Sequence, residues 1–489
     1  MARLFIFGIG GTGVRVIKSL TMLLASGVKM NATEVIPIIV DPHQSNQDLK
    51  RTLNLLEDYQ AVRDKRDPGH EGFFQTNIST LQRLTGSQSI GSTFSFKLKN
   101  VQNEQFKDYI NFGSLNKKNK SLVSLLFSEK NLATEMDIGF VGNPNIGSVV
   151  LNQFKDSGEF VNFASNFSQN DRIFIISSIF GGTGAAGFPT ILKNIRNAQP
   201  PLPNHEWIRN AKVGAVTLLP YFGVAPDPAS KIDKATFISK SKAALAYYET
   251  NVSGNNSVNA LYYLGDDRTK DYPNDPGEHG QRNDAHFMEV AAALSVVDFM
   301  NMPDAALGSE NGRAVQPIYK EFGIKRDEEL VSFTQLGDET QAQIKTPLTQ
   351  YWYFYLYLRD KLSQTLGKQP WTNRKKPAVN KAFTHGSFYQ NHLSPFNEQF
   401  GTWLKELRQN KRAFAPFSLS EKTSSGLFDT VRGIEPQRHW SPFARDNYVL
   451  YDEELNRAER NVGSLPVEQK FMRIFYKATN ALVNRKFDF

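Results

Sequence analysis

One stretch, Asp171–Gly187 (DRIFIISSIFGGTGAAG), constrains this chain more than any other. Ile173, Phe174, Ile175 and Ile176 form a short apolar run of β-branched and aromatic residues, the signature of a strand buried on both faces. Gly181, Gly182, Thr183 and Gly184 follow almost at once, and the segment from Pro189 to Arg196 continues as a helix. Strand, glycine turn and helix start together make a phosphate cradle. Glycines let backbone N–H groups approach oxygens closely, and the positive end of the helix favours an anion. The same pattern opens the chain. Leu4–Phe7 reads as a strand, Gly8-Ile-Gly10-Gly11-Thr12-Gly13 as a glycine loop, and Val14–Leu24 as a helix with Val14, Ile17, Leu20 and Leu24 on one face. A single such turn is only a tight connection, or the first turn of a dinucleotide-binding fold. Two in one chain, with the loop Gly139–Gly147 between them, ask for more.

The three loops and their order resemble the tubulin/FtsZ superfamily of GTP-binding cytoskeletal proteins, in its divergent bacterial tubulin-like form. Gly10-Gly11-Thr12-Gly13 is similar to the family's first phosphate loop, and Ile39-Val40-Asp41-Pro42-His43-Gln44 to its acidic second loop. Gly142-Asn143-Pro144-Asn145-Ile146-Gly147 is similar to the third loop. Gly181-Gly182-Thr183-Gly184 resembles the glycine-rich signature, with Ala185 behind it. Val213–Phe222 resembles the strand and proline turn that follow. Arg282-Asn283-Asp284-Ala285 resembles the start of the central helix that touches guanine. The resemblance covers roughly the first 300 residues.

It implies an α/β fold. A mainly parallel, doubly wound nucleotide-binding domain with helices on both faces would span 1–282, a long central helix 283–302, and a second, α+β or mainly helical, domain 303–489. It implies GTP or GDP as ligand, with Mg²⁺ held through the nucleotide and Asp41 bonded to it through water. Asn283 and Asp284 would read the base, because guanine offers N–H donors on its pairing edge. Ribose contacts would fall near Asp227 or Asp233. Acidic residues after the central helix would complete the site of the next subunit in a head-to-tail assembly, where Asp304 is the candidate catalytic residue and Asp298 faces solvent. The chain departs from the family in three places. Phe180 stands where a further glycine is usual, Ala185 replaces a hydroxyl residue, and the segment from Asp298 to Asp304 has altered spacing with Pro303 inside it.

Residues 45–134 form an insertion, read as a mainly helical subdomain, with a basic region over 97–120 that serves as a solvated surface or a partner site. The apolar run Leu122–Phe127 is expected to pack it onto the body, and Trp207 to act as a packing anchor. In the last third, the aromatic run Tyr351–Leu358 follows Pro347 and reads as a buried helix. Pro466 starts another, whose apolar face is Phe471, Ile474, Phe475, Ala478 and Leu482.

At 489 residues, 40% of them hydrophobic, the chain has material for two or three domains with sizeable cores. It has no cysteine, which excludes disulfides, thiol nucleophiles and cysteine zinc sites and suits the cytoplasm. The first strand begins beside Met1, which leaves no room for a signal peptide, and no apolar run approaches the roughly 20 residues of a membrane span. The net charge of +8 is modest, and no nucleic-acid motif is present. His286 and Glu289 lie one turn apart without a second pair, so no metal site is expected and His286 reads as a structural hydrogen-bonding residue. Besides an assembling GTPase, two function classes remain: a nucleotide-binding scaffold that neither assembles nor turns over, with partners on the insertion or the C-terminal region, and a Rossmann-type enzyme using Gly8–Gly13 alone.

Overall fold

The computed structural model describes residues 2–43, 46–86, 93–136, 140, 143–224, 234–266, 271–272, 282–321, 328–419, 426–437 and 447–489. Its centre is a parallel sheet of eight strands: β1 (Ala2–Ile9), β2 (Ala32–Val40), β3 (Asn77–Ile78), β4 (Ser95–Phe96), β5 (Arg172–Ser178), β6 (Lys212–Leu218), β7 (Ala260–Leu264) and β8 (Ile318–Glu321). The order across the sheet is β8-β7-β6-β5-β1-β2-β3, with β4 on the same edge of β2 as β3. Every pairing within it is parallel.

Strands buried on both faces need apolar residues of both parities, and these strands have them. Leu4 and Ile6 of β1 and Phe174 and Ile176 of β5 enter one core, while Phe5, Phe7, Ile173 and Ile175 enter the other. Pro37 lies inside β2, where its missing N–H would break a ladder. It is tolerated because β3 pairs only at Glu34 and Val35 and β4 only at Ile39 and Val40, which leaves Pro37 in the gap between them.

Helices cover both faces. On one side lie α1 (Gly10–Ser26) and α2 (Gln47–Asp64). On the other lie α3 (Pro144–Leu151) and α4 (Gly182–Arg196), beside α5 (Lys234–Tyr248). The long apolar helix α6 (Phe287–Asn301) packs on the α1 side and is buried nearly all round. It begins four residues later than the resemblance implies. His286 is its N-cap: the imidazole Nδ1 accepts the Met288 N–H at 3.1 Å, and Glu289 accepts the His286 N–H at 3.1 Å. This reciprocal box fixes the start and leaves Asn283 and Asp284 in the preceding turn.

The last third is mainly helical. It is built from α7 (Asp338–Asp360), α8 (Ser394–Arg408), α9 (Asn447–Arg460) and α10 (Val467–Lys486), with one short parallel pair, Leu330–Val331 on Ala413–Phe414. The aromatic run lies in α7 with Pro347 within the helix, and Pro466 caps α10. In the segment 47–136, Leu55, Tyr59 and Phe74 enter the α1-side core, while Phe96, Val101 and Phe106 enter the other. One anchoring expectation holds only in part and one fails. Leu122, Leu125 and Leu126 are exposed on the helix Lys117–Leu126, Leu125 at 84%, and Trp207 is 45% exposed. Other residues hold each element: Val123 and Phe127 pack on the core that holds Phe106, with the Phe106 and Phe127 ring centroids 4.8 Å apart, and Ile208 rather than Trp207 is buried there. No helix is long and apolar enough to cross a membrane among the described residues.

Candidate functional site

The strand order reverses between β1 and β5: one neighbour of β1 continues the sheet through β2, the other through β6. In open parallel sheets, the crevice at the carboxyl ends of such a pair is where ligands bind. Both glycine turns are there. Ile9 of β1 leads directly into α1, and Ser178 of β5 leads through Gly181 into α4. Gly10–Gly13 and Gly182–Gly184 are not a loop before the helix, as their spacing suggests. They form its first turn, which aims their N–H groups out of the helix end. Neither helix has a side-chain cap, and neither carries an acidic residue in its first turn. Several other helices are capped: Asn46 accepts the Asp48 N–H, and Ser157 the Phe160 N–H. Two adjacent helix ends with uncapped donors and no carboxylate make an anion site.

The glycines are there for clearance. Gly10 has φ +67°, and a Cβ on it would stand 3.4 Å from Thr183 Cβ and 3.6 Å from Gly184 N, so the two turns touch. A Cβ on Gly184 would lie 2.5 Å from Ser178 O, and one on Gly13 2.6 Å from Gly8 C. Gly11 has more room, with Arg15 Nη1 and Asn46 Nδ2 at 3.6 Å. Thr12, Thr183, Gly182 and Ala185 are buried. Phe180, the departure from the glycine pattern, packs edge-on against Tyr221 and Phe222.

The third loop reaches the same corner. Asn143 caps α3, its side chain accepting the Asn145 N–H at 3.2 Å, and Pro144 takes the first helical position. A Cβ on Gly147 would meet Ala186 Cβ at 2.8 Å and Gly182 O at 3.1 Å, so α3 lies against the first turn of α4. Gly142 falls outside the described residues, as do Gln44, Asp227 and Asp233. Asp41 follows Val40, which pairs with Ile9, so its backbone stands beside the start of the first glycine turn. It accepts the His43 N–H at 3.0 Å, and burial pushes its pKa up to about 7. A buried carboxyl poised between its two states suits a site that receives a cation.

Asn283 and Asp284 lie on the α1 side of this crevice. Asn283 is buried, and its backbone N–H meets Asp48 at 3.3 Å. Around it runs a charged network that sequence reasoning missed. Arg15, one turn after the first glycines, donates to Glu289 at 2.6 Å, to Asp48 at 3.2 Å and to the Tyr221 hydroxyl at 2.9 Å. The Tyr221 hydroxyl donates to Glu289 at 2.8 Å. Lys18 pairs with Glu406 at 3.0 Å, and Glu406 also accepts from Arg51 and from the Ala285 N–H. Burial works against the Glu406 carboxylate, but Lys18 and Arg51 more than offset it and hold its pKa below the usual range. The available signal was two charges, Arg15 and Lys18, in an otherwise apolar helix.

Asp304 lies elsewhere. Its carboxylate takes Arg172 at 2.7 Å and Lys212 at 2.8 Å, the first residues of β5 and β6, and these partners, Lys212 first, hold its pKa down. Arg172 also donates to Phe299 O and Met302 O, closing the end of α6. Asp304 is therefore at the amino end of the sheet, with all seven residues of β5 between it and the glycine turns. At about 3.3 Å per residue that is a separation of about 20 Å. Asp298 does not simply face solvent: it accepts from Tyr262 at 2.5 Å and from Lys320 at 2.7 Å. No group of three or more metal-ligating side chains occurs among the described residues.

No family model matches the chain, and no curated protein matches it. Among solved structures it is similar to a CetZ from Methanosaeta thermophila strain DSM 6194, at 12% identity over 54% of this chain and 46% of that one, with a TM-score of 0.24. It is also similar to CetZ2 from Haloferax volcanii, a GTPγS-bound protofilament, at 11% identity over 61% of this chain and 58% of that one, with a TM-score of 0.30. The chain thus matches between 46% and 58% of the length of these structures. Such scores carry no weight for function, which rests on the two uncapped glycine turns at the reversal point of a parallel, doubly wound sheet.

Proposed function

We propose that this chain is a tubulin-like protein that binds GTP or GDP, self-associates head to tail and hydrolyses GTP slowly when assembled. The observation that carries the reading is the pair of uncapped, carboxylate-free helix ends at the carboxyl ends of β1 and β5. Backbone N–H groups of Gly10–Gly13 and Gly182–Gly184 hold the phosphates, and Asp41 holds Mg²⁺ through water. Asn283 and Asp284 stand at the base end, where the Asn283 side-chain oxygen accepts a guanine N–H while its N–H groups donate to Asp48. Asp304 is about 20 Å from its own phosphate turns, so any part it plays in hydrolysis is played on a neighbour's nucleotide. That is a heterologous contact, which repeats into a filament.

The test is GTP binding and turnover across a range of protein concentrations, with wild type and Asp304→Ala. Turnover per molecule should rise with concentration, and Asp304→Ala should bind GTP normally and poison mixed assemblies. Turnover independent of concentration, or absence of GTP binding, refutes the reading. A second reading, a nucleotide-binding scaffold without turnover, is favoured by the Arg172 and Lys212 pairs, which employ Asp304 as a clasp on α6. Binding without turnover at any concentration selects it.

A further inference from the structure

The helix Lys117–Leu126 is held by the body along one stripe and bare along another. Asn116 caps it, accepting the Asn119 N–H at 2.9 Å. Val123 and Phe127 lie one turn apart and pack on the core that holds Phe106. Leu122, Leu125 and Leu126, spaced i, i+3 and i+4, share a second stripe. At 3.6 residues per turn, the middle of that stripe lies about 130° round the helix from Val123 and Phe127, so the leucines turn away from the body. Leu122 is 56% exposed, Leu125 84% and Leu126 64%. No residue of the helix itself is buried, so it stands on the surface as a ridge. A scattered exposed leucine is ordinary, but adjacent ones form a patch that marks an interaction site.

The charges around the patch select what covers it. From Tyr109 to Ser128 the chain has no acidic residue, and its basic residues are Lys117, Lys118 and Lys120. Lys120 is folded back, donating to Gly113 O at 2.8 Å with its ammonium over the Phe112 ring. Lys117 and Lys118 are exposed, and their ammonium groups have no partner among the described residues. Lys118 stands one turn before Leu122, in line with the leucines. An apolar stripe bordered by free cations matches an anionic lipid surface. Acyl chains take the leucines, headgroup phosphates take the ammonium groups, and the lysine stems cover the boundary between them. The shape agrees, because a bilayer deforms around a ridge, whereas a protein partner would need a groove cut to it.

We propose that this ridge docks the protein on the surface of an anionic lipid bilayer. Leu122, Leu125 and Leu126 sit just below the headgroups, Lys117 and Lys118 pair with lipid phosphates, and the helix lies in the plane of the interface. An anchor of this size is reversible and sensitive to salt. It forms no part of the nucleotide site and needs no nucleotide.

The test is co-sedimentation of the full-length protein, without nucleotide, with vesicles of phosphatidylcholine and phosphatidylglycerol in equal parts and with vesicles of phosphatidylcholine alone. Binding to the mixed vesicles should be at least about tenfold tighter than to the neutral ones and should weaken as salt is added. Leu125→Glu, and Lys117→Glu combined with Lys118→Glu, should each weaken it by at least about tenfold. Leu125→Trp should keep it and add a tryptophan emission that shifts to the blue on the mixed vesicles. Unchanged urea midpoints certify that the variants fold. No binding to the mixed vesicles overturns the proposal, as does equal binding by wild type and the glutamate variants or equal binding to both kinds of vesicle. Loss of self-association in Leu125→Glu, without vesicle binding by wild type, also overturns it and makes the ridge an interface between copies. GTP titrations of the same variants are read separately, so a failure here is distinct from a failure of the nucleotide reading.

Discussion

Replacing Glu406 by glutamine tests how strongly α1 is tied to α8. Glu406 and Lys18 are both almost wholly buried, 3.0 Å apart, and Glu406 also accepts the Ala285 N–H at 3.1 Å. Glutamine keeps the shape and an acceptor oxygen for Ala285 but removes the charge. Lys18 is then a buried ammonium without its counter-ion, and breaking a buried pair in this way costs about 3–5 kcal/mol. Arg51 loses the same partner, but it is one-fifth exposed and retains Asp48 at 3.8 Å, so its share is small. The expected loss is therefore near the lower end, about 3 kcal/mol. Urea unfolding monitored by tryptophan fluorescence measures it, provided the slope is unchanged between variants. The control is Lys18→Met alone and combined with Glu406→Gln. With both charges gone no orphan remains, and the double variant should recover at least about 2 kcal/mol relative to the sum of the singles. A single-variant loss below about 1 kcal/mol, or strict additivity, refutes the reasoning.

Burial lowers the His286 pKa to about 4, below its usual 6.5. Between those values the unfolded chain binds the extra proton and the native state does not, so stability is lost as pH falls through that window, by about 3 kcal/mol at most. His286→Asn, which keeps a capping acceptor, should flatten the slope, and urea midpoints at pH 7 and pH 4.5 check it. Gly10→Ala places a side chain on a left-handed residue, which costs about 1–2 kcal/mol of stability, and sets its Cβ between the two glycine turns. Calorimetry should show nucleotide binding lost while circular dichroism stays native. Asn283→Ala and Asp284→Ala should weaken GTP more than ATP, by about 1–3 kcal/mol, and equal weakening of both would show that neither residue reads the base. Leu125→Glu should change stability by less than about 0.5 kcal/mol because its side chain touches little, and a large loss in thermal melts would mean that the Lys117–Leu126 helix is packed in solution.

What was legible in the sequence was local. Ile173–Ile176 and Leu4–Phe7 are apolar at every position, which only a strand covered on both faces requires, and the glycines directly behind them leave one way to turn. Side-by-side placement of the two turns follows from β1 pairing with β5, a contact across about 170 residues of chain that no periodicity announces. The start of α6 was misplaced because the resemblance put Asn283 and Asp284 at its opening, while the cap in use is an imidazole paired with Glu289. The charged network was invisible for a different reason. Lys18 and Glu406 are 388 positions apart, and a lysine in an apolar helix shows only that some partner must exist. Leu122–Phe127 makes the opposite point, since spacing shows the apolar run but not that Val123 and Phe127 are covered while its three leucines are exposed.

The core on the α1 side runs unbroken from Leu4 in the first strand, through Phe287 and Val297, to Phe487 near the last residue. Trp403 of α8 even reaches back to donate to Ser19 of α1 at 3.2 Å. A molecule joined in this way has no seam. A protease cut between α6 and α7 would not liberate two sound halves, because Leu20, Leu23 and Leu24 would be stripped of their cover and left as an adhesive surface. Heating should accordingly give one transition that the aromatic signals of the last third and the sheet signals of the first share at the same temperature. Shortened versions of the chain should come out of cells as aggregates rather than as a free-standing nucleotide fold.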